Sequence, residues 1–167
     1  MKAKLIVEGK EFDIDILDPE LQKLVKPQKK TGYERVGYMD CFHSVYGDGH
    51  IGKDEDARGG FSQHRYDIAN YYSDKIVAEN NARADRLMRQ LRRFAVEHRE
   101  KEINWNNRFG LSFIGFGIDN NDLIVLNVGW ARYAGQVVFD SANTAQEAIN
   151  TFHDELIWYF TEYKDSL

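Results

Sequence analysis

From Ser73 to Glu102 the chain reads SDKIVAENNARADRLMRQLRRFAVEHREKE, its longest uninterrupted helical pattern, with neither glycine nor proline. At about 100° per residue, Val77, Ala84, Leu87, Met88, Leu91, Phe94, Ala95 and His98 fall within about 120° of arc. Arg86, Arg89, Arg92 and Arg93 lie on the opposite side. A helix built this way must bury one stripe and turn the other to water or to a partner. It therefore dictates what the remaining segments have to cover.

The same helix is a basic island. Lys+Arg against Asp+Glu run 11 to 13 over residues 1–72, 8 to 6 over residues 73–102 and 3 to 8 over residues 103–167, for a net charge of −5. A nucleic-acid-binding domain usually has a more basic balance, and a protein imitating DNA by its charge would be far more acidic. With 167 residues and only two prolines, the chain is long enough to bury a core and poor in linker composition. The lone Cys41 excludes an intramolecular disulfide and predicts a reducing setting. MKAKLIVEG is charged too early for a signal peptide, and no apolar run approaches the roughly 20 residues that cross a bilayer. The expectation is a soluble cytoplasmic protein with no membrane partner.

Around the helix the segments predict an α+β fold. Residues 2–16, KAKLIVEGKEFDIDI, read as a β-hairpin turning at Glu8-Gly9. That register sets Leu5 against Phe12 and Ala3 against Ile14 on one face, and Lys4 against Asp13 and Lys2 against Asp15 on the other. Asp18-Pro19-Glu20 opens a short helix over Leu21, Leu24 and Val25 that Pro27 stops. PQKKTG is then a basic connector, dividing an N-terminal hairpin–helix module (1–30) from a main domain (31–167). Residues 33–46 include a strand, and Gly47-Asp48-Gly49 turns the chain toward a partner at His50-Ile51. KDEDARGGFSQ reads as loop, and Tyr66, Ile68 and Tyr71 as a short strand. Ser73 or Asp74 caps the long helix. LSFIGFGI and LIVLNVGW, joined by Asp119-Asn120-Asn121-Asp122, form two strands of an antiparallel meander. Gly135–Phe139 adds the third after a break at Arg132-Tyr133-Ala134. Thr144-Ala145-Gln146-Glu147 is a capping box for the last helix. Its arc of Ala145, Ala148, Ile149, Phe152, Leu156, Tyr159, Phe160 and Tyr163 leaves Trp158 on the polar side. Both amphipathic helices are expected to cover one face of the meander.

Candidate chemistry is sparse. Cys41, His43, Asp48, His50 and His64 are close in sequence, but their spacing matches no compact zinc pattern. A buried cysteine and surface histidines are preferred, with no metal and no cofactor. His98 and His153 sit on or beside apolar stripes, where histidine is more often packed than catalytic. No nucleophile elbow, phosphate loop or dinucleotide fingerprint is present, and the glycines of FIGFGI make room for a large neighbouring side chain. The chain reads as no enzyme. The candidate site is instead a partner-binding one. Arg86, Arg89 and Arg93 lie within about 60° of arc with Arg92 beside them, and arginine forks suit phosphates and carboxylates alike. Trp158 joins them as an exposed anchor. Tyr33, Tyr38, Tyr71 and Tyr72 read as half-buried sheet residues.

KLIVEGKEFDIDI with DPELQKL, KKTGYERV, RYDIANYY, LRRFAVEH followed by INWNN, and GQVVF–SANTAQEAI together resemble a group of small proteins in phages and prophages of Gram-positive bacteria. The resemblance covers nearly all of the chain, and its motifs are structural. Two departures stand out: the group tends to carry glycine where this chain has Ala69, and lysine-rich helices where this one uses arginine. Small accessory phage proteins without catalytic motifs commonly bind host machinery. The resemblance thus implies a non-enzymatic inhibitor of a host defence or nucleic-acid-processing protein or nucleoprotein, in its sharpest form an anti-CRISPR inhibitor of a Cas9-type effector. The alternative is a nucleic-acid-binding accessory protein of phage replication or packaging. A small enzyme with a site around His43, His50 and His64 is the third.

Overall fold

The first hairpin forms in the register that its charges and apolar residues both demand. The computed structural model describes residues 2–7, 10–17, 30–106, 110–128 and 135–163. Strands β1 (Lys2–Val7) and β2 (Lys10–Asp15) pair antiparallel with Leu5 opposite Phe12, Ala3 opposite Ile14, Lys4 opposite Asp13 and Lys2 opposite Asp15. A slip of one residue would set each lysine against an apolar neighbour. The Glu8-Gly9 turn, the helix expected after Asp18, the first half of the connector and the break at Arg132-Tyr133-Ala134 lie outside the described residues.

From Thr31 onward the chain is tied to the long helix. The Glu34 carboxylate accepts from the Thr31 amide, the Gly32 amide at 3.0 Å and the Ser73 hydroxyl at 3.1 Å. The Ser73 amide returns a bond to the Gly32 carbonyl at 2.8 Å. Donation from Thr31, its amide foremost, and from the Ser73 hydroxyl pulls the Glu34 carboxyl down to about 2 against the effect of burial.

Strands β3 (Cys41–Val45) and β4 (Ile51–Glu55) make the second hairpin, closed around Gly47-Asp48-Gly49 with Gly49 at φ 90°. Phe42 and Ser44 are buried, whereas Cys41 is exposed, correcting the expectation of a buried thiol. The stretch read as loop is also corrected. Lys53-Asp54-Glu55 pair with His43, Phe42 and Cys41, and residues Gly60–Asp67 form a helix, α1, where Tyr66 and Ile68 suggested a strand. Ala69 ends this segment in the left-handed region at φ 55°. A strand through it is then excluded. Tyr72 alone returns to the sheet, bridging His43.

The long helix α2 (Lys75–Glu97) begins at Asp74, whose side chain accepts from the Ile76 amide at 2.7 Å. Ala84, Leu87, Leu91, Phe94 and Ala95 are buried as the periodicity predicts, joined by Ala78 and Ala82. The helix ends five residues earlier than its composition allows. His98 stacks on Phe94, their centroids 3.8 Å apart, and the buried Asp140 carboxylate takes the Glu100 amide at 2.7 Å and the Lys101 amide at 3.3 Å. A carboxylate capturing those two donors leaves them nothing to give a further helical turn.

Strands β5 (Ser112–Gly117) and β6 (Asp122–Asn127) form the third hairpin, with Asn121 supplying the positive φ, 52°, that its turn requires. A Cβ built at Gly115 would lie 2.7 Å from Leu126 Cδ1, so glycine there does make room for a large neighbour. The third strand is corrected to a single bridge, Phe139 exchanging backbone bonds with Ser112 at 2.8 and 3.0 Å.

Helix α3 (Ala142–Trp158) continues into a π-helical turn, Tyr159–Tyr163. Its cap is Ser141, accepting from the Thr144 amide at 3.1 Å, and not Thr144. The Thr144 hydroxyl instead donates to Asp140 at 2.8 Å. Both helices border the core under β5 and β6, α3 the more closely. α3 covers β5 and β6, while α2 crosses β3 and β4 and packs along α3. With strands about 4.8 Å apart and a helix about 10 Å across, a two-stranded ribbon has width for one helix only. Leu87, Leu91 and Phe94 of α2 meet Leu123, Phe139, Ala148, Ile149 and Leu156 in one buried cluster. Among the described residues no helix is long and apolar enough to cross a membrane.

Candidate binding surface on the long helix

Helix α2 places its arginines in two different situations. Arg86, Arg89, Arg92 and Arg93 are exposed, on the side away from the buried alanines and leucines. Arg93 is 3.9 Å from Glu97, a long and solvated pairing. Among the described residues, Arg86, Arg89 and Arg92 have no carboxylate within ion-pairing distance, although Asp85 is a neighbour in sequence. Three guanidiniums therefore stand on one ridge of a helix whose other face is locked in the core, free to donate outward.

Arg83 belongs to the fold. Its Nε and a terminal nitrogen reach Glu155 at 2.8 and 3.1 Å, and its guanidinium lies 3.9 Å above the Trp158 ring. Trp158 is only 7 % exposed, which corrects its expected position as an exposed anchor. The cause is local. Phe152 leaves helical geometry at φ −117°, ψ 24°, so the rotation of about 100° per residue no longer holds beyond it. Trp158 then turns under Arg83 and beside Tyr163, at 5.6 Å between centroids.

The other titratable groups are structural or unassembled. Among the described residues no three of His, Cys, Asp and Glu gather as a metal site. His50 pairs with its own turn through Asp48 at 2.6 Å, His64 is exposed, and His153 contacts the adjacent Asp154 at 3.0 Å. Tyr71 and Tyr72 are buried, Tyr33 is partly so, and Tyr38 is exposed, against the expectation of a half-buried residue.

One polar cluster went unseen in the sequence. Asp56 has no exposed surface and accepts from Arg35 Nε at 2.9 Å, the Arg58 amide at 2.9 Å and the Tyr71 hydroxyl at 2.9 Å. The Arg35 side chain, above all, holds this carboxyl far below its usual range against the opposing effect of burial. Burial pushes the Tyr71 phenol up to about 12, so it stays protonated as a donor. With its oxygens occupied and its proton gone, Asp56 is a strut and not an acid or a base. The sequence signal would have been an aspartate between a strand and a glycine pair, with its arginine partner 21 residues away.

Compared with protein-family models, with curated proteins and with solved structures, the chain finds no match.

Proposed function

We propose that this protein is a non-enzymatic binding protein that inhibits a host defence or nucleic-acid-processing protein by docking on it through Arg86, Arg89, Arg92 and Arg93. The observation that carries the reading is the row of guanidiniums, those of Arg86, Arg89 and Arg92 without a carboxylate partner among the described residues, on a helix anchored along its opposite face. A guanidinium with no intramolecular ion pair has none to break before it meets a partner, which offsets part of the rotamer freedom it loses on binding. The phage resemblance supplies the kind of partner, and a Cas9-type nucleoprotein is its sharpest form. Trp158, stacked under Arg83, is not among the anchors. The test is capture from a Gram-positive host lysate on immobilised wild type and on Arg86→Glu/Arg89→Glu/Arg93→Glu. A defence protein retained by the wild type and lost from the variant supports the reading. No retained host protein, or equal retention by both, counts against it. Retention of nucleic acid alone, falling steeply with salt, would favour the replication or packaging role.

A further inference from the structure

The basic ridge carries one apolar interruption. Val96 stands one helical turn from both Arg92 and Arg99, and it is 60 % exposed. It opens on a groove of about 310 Å³ walled by Arg92, Val96, Arg99, Ile103, Trp105 and Val138. Trp105 is 40 % exposed there. Arg99 is held by Glu102 at 2.9 Å, whereas Arg92 has no carboxylate partner among the described residues. An apolar slot with a free guanidinium on its rim is complementary to an apolar side chain that has a carboxylate beside it. Neither half of that ligand alone fits as well.

Resting on the binding role proposed above, we infer that this groove is the anchor pocket of the same interface, and that it takes an acidic segment of a protein partner. One apolar side chain of the segment seats against Val96 and Trp105, while its carboxylates meet Arg89 and Arg92. Charge separates this occupant from a nucleic acid. Glu97, Glu100 and Glu102 are exposed near the groove end of α2, and the chain carries a net −5. A phosphate backbone brings a charge with every nucleotide and meets those acids as soon as it leaves the arginines. A peptide with a few well-placed carboxylates does not. Tryptophan and arginine around a desolvated pocket are also the side chains on which protein interfaces concentrate their affinity.

The test is selection of a displayed random peptide library on the wild-type protein, followed by affinity measurement of the enriched peptide and of oligo(dT) at physiological salt. The enriched sequences should combine acidic residues with one aliphatic or aromatic position. Their affinity should fall at least about tenfold in Val96→Asp and in Arg92→Ala, with thermal midpoints unchanged because both side chains are exposed. Trp105→Ala should do the same, and Val96→Asp decides the matter if that variant does not fold. No enrichment, enrichment of peptides without acids or without an apolar position, affinity indifferent to Val96→Asp, or tighter binding of oligo(dT) would each overturn the inference. Peptide binding lost in Arg86→Glu/Arg89→Glu but kept in Val96→Asp would overturn the groove and leave the ridge standing. Val96-dependent binding together with an empty lysate capture would support the groove and remove the host-defence assignment.

Discussion

Asp56 is the most consequential single side chain in the structure. Arg35, Arg58 and the Tyr71 hydroxyl all converge on it, so Asp56→Ala leaves the buried phenol and two partly exposed arginines without their acceptor and should cost about 2–4 kcal/mol in urea unfolding. Its carboxyl titrates below its unfolded value, as do those of Asp140 and Glu34, the last at about 2. The folded state therefore binds fewer protons than the unfolded one. Stability from these groups is complete above an unfolded carboxylate value of about 4 and is lost as pH falls toward their folded values. Urea midpoints should be level between about pH 5 and 7 and decline below about pH 4, less steeply in Asp56→Asn. Ala69 offers the opposite sign. At φ 55° its Cβ is strained by about 1–2 kcal/mol. Glycine also loses more freedom on folding, so Ala69→Gly should leave a net gain of about 0.5–1 kcal/mol, read as a rise of about 1–4 °C in Tm.

The two long helices are joined by one clamp, Arg83 forked onto Glu155 and laid over Trp158. Arg83→Ala should destabilise by about 1–2 kcal/mol, and Arg83→Lys should recover little of it, because an ammonium neither forks nor lies flat on an indole. Reversal of Arg86 and Arg89, by contrast, should move Tm by no more than about 2 °C, since exposed charges contribute little to folding. This division between Arg83 and its neighbours was only half legible in the sequence. The periodicity of α2 placed its buried stripe and its exposed arginines because that helix is straight enough for a fixed rotation per residue. The same rotation misplaced Trp158, since the helix departs from it at Phe152 and the residue pattern there carries no mark of the departure. Loop and strand were misassigned between Lys53 and Ile68 for a related reason. Polar side chains there were read as exposed, and only a pairing 21 residues distant makes Asp56 interior. Gly135–Phe139 has the composition of a strand but meets β5 at one position. Composition describes what a segment tolerates, and neighbours decide how much of it pairs.

The Glu34 anchorage to Thr31, Gly32 and Ser73 begins where the connector ends, next to the boundary expected after residue 30. A chain starting at Lys30 should accordingly keep its Tm within about 4 °C of the full-length protein by calorimetry. Within the remainder, α2 is common ground: β3 and β4 rest on it, and so does α3. Neither side can open without uncovering the same helix. The amide protons of Leu87, Leu91 and Phe94 should therefore exchange with deuterium only at the rate of global unfolding, while those of α1 and the β1–β2 hairpin exchange through local opening at far lower free energy. A partner gripping the arginines would then slow exchange at the C-terminal end of α2 and in the groove beside Trp105, leaving the already silent middle of the helix unchanged.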